Sequence, residues 1–190
     1  MSRDDELQDL LDCEAIRHLA ARYFLGLDSK DVSAIAGMFA AESEFGRSGR
    51  GPQGAQVFYQ KTLRHFVASM HVIGYQVINQ IAGDSAHGVL HCRSYQYREG
   101  GTWWEVAFAY HDDYVRENGE WLFLRRVPHY WYRDEISPGG ERTRVILTSD
   151  SAASGRAGAR GQIASNERIV GAGEFHEALP TWYPYWQADQ

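Results

Sequence analysis

The chain holds two cysteines in 190 residues, too few for a disulfide framework, and Cys13 and Cys92 match no metal-ligand spacing. One falls in a helical pattern and the other in a strand pattern, so both are expected as reduced core thiols. Basic residues are outnumbered by acidic ones, 19 against 25, and the formal charge of −6 argues against a nucleic-acid partner, which needs a concentrated basic face. Arg156 and Arg160 lie in a Gly/Ala/Ser-rich stretch, not in a basic patch with aromatics between. No apolar run approaches the length of a membrane span, and the acidic start from Met1 to Asp12 lacks the layout of a signal peptide. The expectation is a cytoplasmic protein with no membrane partner. There is no His-Glu-x-x-His motif, phosphate loop, Gly-x-Ser-x-Gly elbow or dinucleotide fingerprint. The glycine-rich Gly46–Gly51 does not join a strand to a helix in the form those sites need. His87 and His91 share a strand face, but four residues at about 3.3 Å each set them roughly 13 Å apart, too far to chelate one ion. No metal and no cofactor are expected.

Aromatic residues are abundant at 13%, with six Trp and eleven Tyr, more than one small core requires. They suit either a pocket for a flat hydrophobic ligand or a core plus a subunit interface. The length allows one sizeable domain. Glu6 to Leu27 carries apolar residues at helical spacing (Leu7, Leu10, Leu11, Ile16, Leu19, Ala20, Tyr23, Leu27), with Asp28-Ser29-Lys30 breaking the helix. Asp31 is placed to cap a second helix carrying Val32, Ile35, Met38 and Phe39. After a glycine-rich loop over 46–54, a third helix is predicted through Val57, Phe58, Leu63, Phe66 and Met70. Beyond His71 the pattern changes to strands at 72–82, 86–97, 102–116 and 121–133, separated by Gly83-Asp84, Gly100-Gly101 and Asn118-Gly119. Helices followed by an antiparallel meander predict an α+β fold in which a curved sheet wraps the helices and leaves a pocket. Residues 137–173 read as an extended loop with a possible short strand at 145–148. The aromatic segment Leu179–Trp186 is expected to pack over the pocket or on a partner subunit. The predicted division is a domain over 1–136 and an extension over 137–190.

Three residues could carry chemistry near the helix end and the first strand. Tyr23 shares a helix face with Leu27, whereas Asp28 lies about 140° from Tyr23 on a continuous helix and reaches the same cavity only if the helix stops there. Taken alone, Tyr23 also reads as a core residue, Asp28 as a turn carboxylate and His71 as a hydrogen-bonded core histidine. Trp104, Phe108 and Tyr110 fall on one face of a strand and suit stacked aromatic rings. Arg93, Arg125 and Arg126 lie within strand patterns, and only one of the adjacent pair can face the cavity. Each of these arginines either binds an anionic ligand group or pairs with Glu105, Asp112 or Asp113.

Tyr23–Asp31, Ser69-Met70-His71, the meander and Ala107–Trp121 together resemble the SnoaL-like branch of the nuclear-transport-factor-2-like superfamily. Within it the likeness is to the bile-acid 7α-dehydratase family and, more distantly, to the scytalone dehydratases and hexachlorocyclohexane dehydrochlorinases. The resemblance spans roughly residues 6–135. It implies a cone-shaped α+β barrel in which His71 is the base, Asp28 orients it and Tyr23 donates a hydrogen bond to a substrate oxygen. A neutral imidazole suits removal of a moderately acidic proton near neutral pH, and a carboxylate fixes its tautomer. Where the scytalone dehydratases carry a second histidine, this chain has Gln96, so a single base is expected. Gln96, Trp104, Phe108, Tyr110, Arg93 and Arg125 are the expected substrate-binding residues.

The resemblance therefore implies a cofactor-independent lyase acting on a hydrophobic, aromatic, hydroxylated compound, with dehydration favoured. Alternatives are retro-aldol-like C–C cleavage releasing formaldehyde from a lignin-type diaryl compound, isomerisation, polyketide cyclisation, or a non-catalytic role as a ligand-binding domain or like a dioxygenase small subunit. A homodimer or homotrimer is expected, because the outer face of the sheet needs covering.

Overall fold

Residues Arg3–Ser29 form one long helix, α1, begun by a capping box: Ser2 Oγ accepts from the Asp5 amide while the Asp5 carboxylate accepts from that of Ser2. The computed structural model of the chain describes residues 2–146 and 162–163. Ile16, Leu19, Ala20, Tyr23, Phe24 and Leu27 recur at helical spacing and are buried. The predicted apolar face does not extend to Leu7, Leu10 and Leu11, which are more than half exposed because no described element covers that end of α1. Lys30 ends the helix in the left-handed conformation (φ 57°), its amide donating to the Gly26 and Leu27 carbonyls.

Asp31 caps the short α2 (Val32–Ala36), accepting from the Ala34 amide at 2.9 Å. Met38 and Phe39 lie past its end, and Phe39 bridges to Phe123 of the sheet. A single 3-10 turn, Gly46–Ser48, precedes α3 (Gly51–Leu63), whose first turn holds Pro52. The third helix is shorter than predicted: Phe66–Met70 belong to strand β1 (Phe66–Ala82). Helical spacing of apolar residues is overridden there by a ladder that pairs Phe66 with Arg98 and Met70 with Tyr95.

Strands β2 (Ser85–Arg98), β3 (Trp103–Glu117) and β4 (Glu120–Ile136) complete an antiparallel meander. Asn118 and Gly119, with φ of 53° and 84°, supply the two left-handed positions that the tight β3–β4 hairpin needs. Two further strands, β5 (Arg142–Ile146) and β6 (Gln162–Ile163), give a six-stranded sheet in sequential order. The region read as a loop with a strand at 145–148 thus contributes a strand that begins earlier, at Arg142. The aromatic segment Leu179–Trp186 lies outside the described residues. Among those residues no helix is long and apolar enough to cross a membrane.

One face of the sheet turns toward the helices. Across it run Leu90, Cys92, Val106, Phe108, Tyr110, Tyr114, Trp121 and Phe123, packed against Tyr23, Phe24, Leu27, Phe39 and Tyr59. Asp12 fastens α1 to the far end of the sheet, accepting from Trp121 Nε1 at 3.0 Å and Arg116 Nη2 at 2.5 Å.

Candidate active site

Between helices and sheet lies a cavity of about 1040 Å³. His71 projects into it from β1, opposite Ser94 of β2 in the strand register. Asp28, in the last turn of α1, accepts from the imidazole Nδ1 at 2.6 Å and from the His71 amide at 2.9 Å. Ser69 Oγ donates to the same carboxylate at 2.9 Å. The helix stops one residue beyond Asp28, at Ser29, which is what lets this carboxylate reach the strand. With Nδ1–H given to Asp28, Nε2 carries the lone pair. Burial pushes the His71 pKa below the ordinary histidine value; Asp28 pulls it back up, and the Arg126 charge adds to the lowering. The imidazole is therefore neutral at neutral pH and able to accept a proton.

Tyr23 lines the same cavity but touches neither member of that pair by hydrogen bond. Its hydroxyl is 2.9 Å from that of Tyr59 on α3, and its ring stands edge-on to Tyr110. Phe24 links the two parts, its ring centre 5.4 Å from Tyr23 and 5.2 Å from His71. Burial raises the pKa of Tyr23 and holds those of Tyr59 and Tyr110 well above the ordinary phenol value, so all three are neutral donors at working pH.

Trp104, Phe108, Tyr110 and Gln96 all line the cavity, and Gln96 donates to Ser94 Oγ at 3.0 Å. The two arginines assigned to substrate binding are placed otherwise. Arg93 points to the outer face of β2, half exposed, 3.5 Å from Glu105, and is absent from the cavity wall. Arg125 reaches only the cavity edge; its side chain is 71% exposed and 3.8 Å from Asp113. Its neighbour Arg126 is the buried one, with a side chain 2% exposed and Nη2 3.0 Å from Asp112. The choice between them is made by a β-bulge. Asp113 pairs with Arg125 while the next residue, Tyr114, pairs with Phe123, so Leu124 is an extra residue on β4 and shifts its alternation by one. A second bulge, at Trp131 between the Ala107–Tyr132 and Phe108–Tyr130 pairs, sets Arg133 inward as well.

Sequence reasoning missed Arg126 as the inward arginine, and also Tyr59, Arg133 and the contact of Ser69 with Asp28, whereas Asp112 is the arginine partner it named as one of three. The Arg126 guanidinium lies 4.3 Å from the Tyr23 ring centre and 4.0 Å from that of Tyr110, and its Nε and Nη1 have no hydrogen-bond partner. Burial works against its charge, but Asp112 and the surrounding phenols outweigh this and raise its pKa. Among the described residues, no three His, Cys, Asp or Glu side chains converge to hold a metal ion.

Helices packed on a curved six-stranded antiparallel sheet match the α+β architecture of the nuclear-transport-factor-2-like fold. The chain belongs to the SnoaL-like domain family, whose model matches residues 8–127. Among solved structures, it is similar to a type 2 hexachlorocyclohexane dehydrochlorinase, LinA, with a TM-score of 0.63 and 20% identity, covering 70% of this chain and 93% of that one. LinA type 3 from Novosphingobium barchaimii has a TM-score of 0.63 and 20% identity over 69% of this chain and 94% of its own. A putative scytalone dehydratase from Novosphingobium aromaticivorans follows at 0.57 and 18%, over 64% and 85%. Comparison with curated proteins gives no match.

Proposed function

We propose that the chain is a cofactor-independent lyase that dehydrates a hydrophobic, aromatic, hydroxylated small molecule, with His71 as the base. The observation that carries this reading is the 2.6 Å contact between His71 Nδ1 and Asp28, made by a neutral imidazole on the wall of a large aromatic cavity. Nε2 takes the proton from a carbon next to a carbonyl or similar group, and Asp28 stabilises the imidazolium that forms. The oxygen charge that develops is met by the Tyr23–Tyr59 hydroxyl pair, with the Arg126 charge packed against the Tyr23 ring. The hydroxyl then departs, takes the proton held by the His71 imidazolium and leaves as water, which returns the base to its neutral form. Family membership and the fold shared with a dehydrochlorinase and a putative scytalone dehydratase agree with lyase chemistry.

Retro-aldol cleavage is the second version, and the same base serves it: His71 deprotonates a primary alcohol, the C–C bond breaks, formaldehyde leaves and the electron pair passes to an enolate. One probe separates the two. Deoxybenzoin bearing a hydroxymethyl group on its acidic carbon gives an α-methylene ketone and water by dehydration, or deoxybenzoin and formaldehyde by cleavage. The purified chain is expected to yield the α-methylene ketone; deoxybenzoin and formaldehyde would move the assignment to C–C cleavage, and no turnover by either route would count against the lyase reading.

A further inference from the structure

The base is held by more than one neighbour. Ser69 and His71 stand two residues apart on β1, so their side chains leave the same face of the strand, while Met70 between them is exposed. Both meet one atom of Asp28. Ser69 Oγ donates to Oδ1 at 2.9 Å, and His71 Nδ1 donates to the same Oδ1 at 2.6 Å. Oδ2 is taken by the His71 amide at 2.9 Å. A serine hydroxyl has one proton to give, and here it goes to the carboxylate. Gln96, the register partner of Ser69 on β2, is engaged with Ser94 instead, donating to its Oγ at 3.0 Å.

Two donors on one carboxylate oxygen compete. Charge drawn toward the Ser69 hydroxyl is withdrawn from the imidazole, because a hydrogen bond to the ionised form makes a carboxylate a weaker acceptor for the next proton. Burial lowers the His71 pKa most; Asp28 on α1 raises it, and Arg126 on β4 adds to the lowering. Cys92 on β2 brings no charge to this balance, since burial pushes its thiol up to about 12. Ser69 carries no charge of its own, so it acts on His71 only through Asp28.

We propose that Ser69 is a positioning residue for the base: its hydroxyl fixes Asp28 Oδ1 against the imidazole and limits how strongly that oxygen holds the ring proton. This rests on the reading of His71 as the base and adds what sets the pH range in which it works. Without the Ser69 hydroxyl, the charge of Oδ1 falls on the His71 N–H alone. The imidazolium is then held more tightly and the base stays protonated to higher pH.

Titration of the His71 ring by nuclear magnetic resonance in the ligand-free protein tests this directly. In Ser69→Ala the His71 pKa should lie above that of the wild type, opposite to the fall expected for Asp28→Asn. Ser69→Thr keeps the hydroxyl on a residue suited to a strand and should titrate with the wild type. In the Asp28→Asn background, Ser69→Ala should add no further shift, because the group it acts through is gone. In turnover, Ser69→Ala should carry the rise of kcat/KM to higher pH. It should also lower kcat by about two- to tenfold with KM nearly unchanged, a fraction of the strength of one charge-assisted hydrogen bond. Circular dichroism checks folding. Ser69→Cys, close to serine in size but a weak donor, carries the test with a shift of the same sign if Ser69→Ala does not fold. An unchanged or lowered His71 pKa in these variants, or a shift that persists in Asp28→Asn, overturns the proposal. The titration needs no substrate, so a raised His71 pKa in a protein that turns nothing over would count against the lyase reading alone.

Discussion

Asp28 stands in the last turn of α1, where the negative end of the helix disfavours a carboxylate. Three hydrogen bonds from Ser69 and His71 hold it there, and the price of that placement is a base whose orientation is fixed before substrate arrives. Burial lowers the His71 pKa and Asp28 raises it, so kcat/KM should rise with pH through a point below the ordinary histidine value of about 6.5. In Asp28→Asn that rise should move to lower pH, because the raising partner is gone, and kcat should fall by about 10²–10⁴. A pH profile of the two proteins checks both; an unchanged profile would remove Asp28 from the chemistry. Tyr23→Phe takes away one donor to the developing oxygen charge. It should lower kcat by up to about 10² with KM nearly unchanged, whereas a rise in KM alone would make Tyr23 a binding residue only.

At the scale of elements, the sequence made the helix–strand order, the capped second helix and the Asn118-Gly119 hairpin legible, because each rests on local rules of capping, periodicity and turn chemistry. The bulges at Leu124 and Trp131 were not legible. Both are set by pairing with β3, and strict alternation from Phe123 would have sent Arg125 inward instead of Arg126. The same holds for β1, where Phe66 and Met70 follow helical spacing but are claimed by the ladder with β2. Tyr59 was hidden in an ordinary apolar helix face, and only tertiary packing brings its hydroxyl to Tyr23. The start of α3, which positions Tyr59, depends on a close backbone approach. A Cβ on Gly54 would stand 2.5 Å from the Gly49 carbonyl carbon, so Gly54→Ala should cost about 1–3 kcal/mol. Urea unfolding measures this, and an unchanged midpoint would show that the loop yields freely.

For the whole molecule, the outer face of the sheet matters as much as the cavity. His91, His111 and His129 gather there from three strands, with Tyr75 stacked on His91 and Trp131 against it. Burial, then the neighbouring His129, His91 and Arg125, depress the His111 pKa to about 4, against a small raising effect of Asp113. Burial lowers those of His91 and His129 as well. Unfolded histidines titrate near 6.5, so between that pH and about 4 the unfolded chain binds protons that the folded one refuses. Stability should therefore fall as pH drops through this window. Urea midpoints at neutral pH and in that window should differ less in His111→Gln than in the wild type; an equal pH dependence would contradict this origin. The same face exposes Met70, Val72 and Tyr75, and we expect it to be covered in a homodimer or homotrimer, as light scattering would show against a monomer.

The central claim is that His71 is the proton acceptor of a reaction that needs no cofactor. The most direct measurement is the turnover of hydroxymethyl deoxybenzoin by wild type and His71→Ala under the same conditions, with circular dichroism as the check on folding. Loss of about 10²–10⁴ in kcat in a folded His71→Ala protein is the expected result. Turnover equal to that of the wild type would contradict it.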